Sequence, residues 1–203
     1  MAECVECGSY TKYKGGLCPK CYKESKSHEE EEEAFEEDEG GLSEGKKKYT
    51  ESIIKGRIAE TLIQELFLNL GYSVFRYGME NTIPGIMTLL KGVKSETAKQ
   101  IRRMPDFVIQ HTKTGEVFFI EVKFRANEEF KRKHLPKDYP YENAYIILVS
   151  KKHIKCISVQ ELDEGEEITP NSKNYLGNRD EFELDKDTIR DFCDFAVKFF
   201  DFV

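Results

Sequence analysis

No apolar run in the 203 residues approaches the length needed to cross a membrane, and the opening stretch, MAECVECG, lacks the charged-then-apolar layout of a secretory signal. A cytoplasmic protein with no membrane partner is the default expectation. Histidine is scarce. The four present, His28, His111, His134 and His153, fall in a linker, beside a turn and in polar loops. No two of them make a ligand or acid–base constellation, so none receives a role. Cysteine nearly vanishes after residue 23, leaving Cys156 and Cys193 in apolar patterns, where they read as core thiols. What remains, 39% hydrophobic and 12% aromatic residues, suits one good-sized core with a small appendage.

The net charge of −7 conceals an uneven spread. Residues 46–160 carry 21 basic against 12 acidic side chains, whereas residues 24–45 carry 1 against 11 and residues 161–203 carry 5 against 13. A cationic middle between acidic flanks suits a polyanionic partner, although a solvated Lys-rich surface has the same composition. The tract HEEEEEAFEEDEGGLSEG has almost nothing to bury, so residues 24–45 read as an extended acidic linker. A DNA-mimicking tail is the weaker alternative.

Residues 1–23 hold Cys4-Val-Glu-Cys7 and Cys18-Pro-Lys-Cys21. Each CxxC sets two thiolates on one side of a turn, and two such turns close a tetrahedron around a soft cation. A segment this short has too little core to fold alone, so a metal would supply its stability. Zinc is the expected ion, with iron in a rubredoxin-like site the main competitor. Disulfides sit badly with a reducing compartment, and duplication of the pair argues against a redox CxxC. The segment resembles a zinc ribbon, which implies a structural ion and names no partner.

The main domain is expected over residues 46–203. Apolar residues at Ile54, Ile58, Leu62, Ile63, Leu66, Phe67 and Leu70 follow helical spacing, with Thr50 or Ser52 able to cap the start and Gly71 to end it. A strand over 72–78 and a short basic helix over 93–103 follow. DFVIQH and EVFFIEVKF then flank TKTG as a hairpin. A charged helix near 127–134, strands at 145–150 and 155–160, and a helix over 186–202 complete a mixed sheet flanked by helices, an α/β (more narrowly α+β) class.

Within FFIEVKFR (118–125), an otherwise buried-looking strand, Glu121, Lys123 and Arg125 alternate with apolar residues and share one face. If Thr112 pairs with Gly115, His111 faces Glu116, Gln110 faces Val117 and Asp106 faces Glu121. Opposed carboxylates with Cβ atoms about 5 Å apart repel unless a proton or cation lies between them. Lys123 offers one charge, but an internal salt bridge seldom repays its desolvation. A divalent cation held by Asp106 and Glu121 explains the pattern better, and oxygen ligands suit Mg²⁺ or Mn²⁺.

Pro105-Asp106, then Glu121-Val122-Lys123, resembles the motif of the PD-(D/E)xK nuclease superfamily, in particular Holliday-junction resolvases and archaeal-virus nucleases. The resemblance covers about residues 50–150 and rests on a short, degenerate motif. It implies a restriction-endonuclease-like αβββαβ core and a metal-dependent DNA endonuclease, structure-selective on branched DNA, with RNA cleavage left open. It implies Asp106, Glu121 and the Val122 carbonyl as Mg²⁺ (or Mn²⁺) ligands. Lys123 would orient or deprotonate the attacking water and neutralise developing charge. Glu60, at the border of the helix's apolar face, fills the acidic position expected on the first helix and would complete a metal or water shell. Gly56, nearly one turn earlier, would permit close approach of another backbone. Lys99, Arg102, Arg103, Arg125, Lys131 and Lys133 are the candidate contacts to backbone phosphates. A homodimer would suit cutting of both strands. The location becomes the host cytoplasm if the chain is virally encoded. The reading from another class is a non-catalytic adaptor that binds nucleic acid or protein through the ribbon; a redox protein is a third.

Overall fold

The structure, a computed structural model, describes residues 2–3, 10–11, 41–78 and 85–201. Cys4, Cys7, Cys18 and Cys21, with their expected zinc, and the linker as far as residue 40 lie outside the described residues. The chain divides into two units, Met1–Glu44 and Gly45–Val203. Of the first, two short strands are described, β1 (Ala2–Glu3) and β2 (Tyr10–Thr11), paired antiparallel.

The second unit opens with α1 (Glu44–Asn69), which buries Ala59, Leu62, Ile63, Leu66 and Phe67 along one stripe. Gly71 stops it in the left-handed conformation, φ 82°, with its N–H donating to Leu68 O at 3.1 Å. Thr50 and Ser52, expected as caps, lie inside this helix. Strong helix formers in EGKKKYTE carry it further upstream, with a Lys55–Glu51 pair one turn apart on its exposed side. β3 (Tyr72–Arg76) comes next, then a single turn α2 (Ile86–Leu89) and α3 (Glu96–Arg102), capped by Ser95 Oγ accepting from Ala98 N. β4 (Phe107–His111), β5 (Val117–Phe124), β6 (Ala144–Val149) and β7 (Ile154–Ser158) build the sheet. α4 (Val159–Asp163) starts at a Ser158–Glu161 capping box, which turns Val159 and Gln160 helical where the apolar pattern suggested strand. α5 (Lys186–Phe200) closes the chain, its Asp185 cap accepting from Thr188 N.

The five strands run in the order β3-β4-β5-β6-β7, with only the β5–β6 pair parallel. The β4–β5 register pairs Phe107 with Ile120 and Gln110 with Val117, as the turn residues led us to expect. α1 and α5 cover one face, packing on Ile109, Ile120, Val122, Ile147 and Val149. Cys156 is wholly buried there, and burial pushes its thiol up to about 12. α4 and the β5–β6 connection cover the other face, with Phe130, Leu135, Tyr139 and Leu162 against Ile146 and Leu148.

That connection departs from the expected αβββαβ order. In place of a helix over 127–134 it contains only a 3₁₀ turn, Arg132–His134. The reasons are local. Asn127 Oδ1 accepts from Glu129 N, Glu128 sits at φ 55°, and Pro136 and Pro140 deny helical continuation. Among the described residues no helix is long and apolar enough to cross a membrane.

Glu161 takes both guanidinium nitrogens of Arg179 at 2.6 and 2.7 Å and the Ser158 N–H at 2.7 Å. Burial opposes its charge, yet these partners hold the carboxyl below its ordinary range. A depressed carboxylate contributes stability above its unfolded pKa of about 4.3 and loses it as pH falls through the folded value. The urea midpoint is therefore expected to hold from pH 7 to about 5 and to drop below about 4, less steeply in Glu161→Gln.

Candidate active site

Asp106 precedes β4, and its position is fixed from both sides. Pro105 denies helical geometry to Met104, and the Asp106 carbonyl accepts from Tyr77 N at 2.9 Å, extending the β3 edge. Asp106 Oδ2 accepts from Val122 N at 2.7 Å, so the neighbouring strand orients the carboxylate. Carried one residue beyond the Phe107–Ile120 pair, the register above puts Asp106 level with Glu121 in the middle of β5. Asp106 is 8% exposed, and the Glu121 side chain 13%. Both carboxyl groups sit in a poorly hydrated setting beside Phe119, Ile146 and Leu148.

Lys123, two residues on along the same face, donates from Nζ to Glu121 Oε1. Burial works against its charge, but the Glu121 and Asp106 carboxylates outweigh it and hold the ammonium above its ordinary range. Lys123 is thus a counter-charge that helps two carboxylates share this space.

These residues line a cleft of about 460 Å³ at the end of the sheet, together with Ser52, Gly56 and Glu60 from α1. Glu60 forms a wall of the cleft, as the helix geometry suggested. Gly56 differs from expectation: among the described residues, the helix's own backbone apart, no atom lies within 4 Å of where its Cβ would stand, and the space belongs to the cleft. Arg102, Arg103 and Arg125 line the same cleft, whereas Lys99, Lys131 and Lys133 do not. Several of these cations already have partners. Arg102 donates to Leu90 O, Arg103 to Asp138 O at 2.6 Å and to its carboxylate at 2.5 Å, Lys99 pairs with Glu96 at 2.6 Å, and Lys131 with Glu167 at 2.8 Å. A nucleic-acid phosphate would have to compete with those oxygens.

One residue of the cleft left no trace in the sequence patterns. Tyr139, in the Pro136–Pro140 turn, is 7% exposed, and its hydroxyl is a buried side-chain polar atom with no hydrogen-bond partner among the described residues. Burial, then the fields of Glu121 and Asp106, push the phenol's pKa well up, so it stays a donor. An unpaired buried hydroxyl costs about 1–3 kcal/mol.

Among the described residues no three His, Cys, Asp or Glu side chains group as a cage for an ion. The Asp106 and Glu121 carboxylates offer oxygen donors, which fit Mg²⁺, an ion that keeps several waters and is usually held by one or two carboxylates plus substrate oxygens.

The fold by itself defines a mixed α+β protein built on a five-stranded sheet. The chain matches no protein-family model and no curated protein. Among solved structures it is similar to Hjc, a Holliday junction resolvase from the archaeal hyperthermophile Archaeoglobus fulgidus. The two are 23% identical, the match covers 59% of this chain and 88% of that one, and the TM-score is 0.35.

Proposed function

We propose that this protein is a divalent-metal-dependent endonuclease that hydrolyses phosphodiester bonds of DNA, with branched DNA as the preferred substrate. The observation that carries the reading is the pair of nearly buried carboxylates, Asp106 and Glu121, opposed across a hairpin with the Lys123 ammonium beside them. Such a pair is costly to bury and has no packing purpose that apolar residues would not serve better.

Asp106, Glu121 and the Val122 carbonyl would hold Mg²⁺ or Mn²⁺. The bound ion would draw charge from the scissile phosphate, acidify water and stabilise the leaving oxygen. Val122 N–H keeps the Asp106 carboxylate turned into the site. Lys123, with three N–H donors, orients water and offsets negative charge building on the phosphate oxygens. Glu60 faces the same space from α1 and takes the outer position, where it can accept from water. Arg102, Arg103 and Arg125 at the cleft margin draw the phosphate backbone in. The Gly56 surface leaves room for it. At the N-terminus, Cys4, Cys7, Cys18 and Cys21 would hold one structural Zn²⁺, which metal analysis of the purified chain should find at about one per chain.

The test is cleavage of plasmid, single-stranded DNA, four-way-junction DNA and RNA by the full chain. We expect cutting of DNA with Mg²⁺ or Mn²⁺, fastest on the junction and abolished by EDTA. Binding without cleavage of any substrate would instead favour the adaptor.

A further inference from the structure

Tyr139 has a phenol held rigidly in the wrong place for a packing residue. Its turn is clamped from two directions: Arg103 donates to the Asp138 carbonyl, and Arg132 donates to Pro136 O at 2.9 Å and Lys137 O at 3.2 Å. The ring packs at a tilt near Tyr141, centroids 5.8 Å apart, so phenylalanine would fill the same volume. The hydroxyl nevertheless stays buried and unpaired beside the cleft that holds the carboxylates. A buried donor without an acceptor points to a partner that arrives in another state of the site.

We propose that Tyr139 is a positioning residue of this site, its hydroxyl donating a hydrogen bond to the Glu121 carboxylate once a divalent cation takes the place of the Lys123 ammonium. Glu121 is the acceptor. Asp106 already accepts from Val122 N–H, whereas Glu121 accepts from Lys123, a contact that a cation between the carboxylates would release. A hydrogen bond from outside the ligand set fixes the direction of a ligating carboxylate and strengthens its hold on the ion. The inference rests on the metal-dependent reading above and adds a residue to it.

The experiment is Mn²⁺ binding to the full chain, followed by loss of the free-ion electron paramagnetic resonance signal, in wild type and Tyr139→Phe. Glu121→Gln serves as the control that assigns the ion to this site. Urea unfolding in EDTA is measured alongside. We expect Tyr139→Phe to bind Mn²⁺ about tenfold more weakly while unfolding at the same or a higher urea concentration. Unchanged Mn²⁺ affinity in Tyr139→Phe, with wild type binding normally, overturns the role of Tyr139 and leaves the metal site standing. A fall in stability that accompanies the fall in affinity makes the hydroxyl a structural group and also overturns it. Absence of Mn²⁺ binding in wild type removes the metal site and this inference together.

Discussion

Glu121→Gln protein is expected to lose DNA cleavage by on the order of 10³-fold or more while remaining folded. A Lewis acid supplies several kcal/mol of transition-state stabilisation, and each 1.36 kcal/mol is about tenfold in rate. The amide is close in shape to the acid, so packing near Phe119 and Ile146 is kept, and its oxygen can still accept from Lys123. Only the charge goes. Removing one of two opposed anions relieves their repulsion but leaves Lys123 with Asp106 as its remaining anion, so the net effect on stability should be small. Asp106→Asn should behave alike in cleavage, because its amide oxygen can still accept from Val122 N. Rates under single-turnover conditions with saturating Mg²⁺, compared with circular dichroism and melting, separate loss of chemistry from loss of fold. Undiminished rates in both variants would remove the carboxylate pair from the mechanism.

The features legible in the sequence are those set by short-range periodicity. TKTG between two alternating runs fixed the hairpin register, and with it the Asp106–Glu121 opposition, because a slip of one residue would turn Ile120 and Val122 to the other face. The 3.6-residue spacing located α1 and α5, and put Glu60 at the border of a buried stripe. The β5–β6 connection was illegible because its order comes from single side chains. Asn127, the left-handed Glu128, the two prolines and the Arg132–Asp163 pair shape it, and none of these has a period. Tyr139 could not be found from sequence for the same reason. Gly56 misled in a different way: a glycine within a helix signals close approach but does not say whether chain or ligand approaches.

The stability of the same connection should depend on a lysine that strand patterning would have left unremarked. Lys155 on β7 is 1% exposed, with Nζ 3.1 Å from Glu128 Oε2, 2.7 Å from Thr169 O and 3.1 Å from Pro170 O. Glu128 also accepts from Ser150 Oγ at 3.2 Å and meets His153 Nδ1 at 3.1 Å. Burial disfavours its charge, but His153 and Lys155 outweigh that and hold the carboxyl below its ordinary range. Lys155→Met keeps the length of the side chain and removes the charge. It leaves Glu128 without its most buried cation and removes a donor from the Pro170 and Thr169 carbonyls, the latter keeping Ser172 N and Oγ. Breaking a buried pair from one side costs about 3–5 kcal/mol, which for a domain of this size lowers Tm by about 10 °C. Adding Glu128→Gln should recover a large part of that loss, since the uncompensated anion disappears. The unfolding free energies of the two single variants and the double variant form a cycle. If the double variant loses the sum of the two single losses, the pair is not what holds the connection. Because Glu128 N donates at 3.2 Å to the carbonyl of Arg125, one residue past the β5 end, the network also fixes where β5 leaves the sheet. Cleavage by Lys155→Met should therefore survive at low temperature and fail at a temperature wild type tolerates, which ties the buried lysine to the site through the strand that carries Glu121 and Lys123.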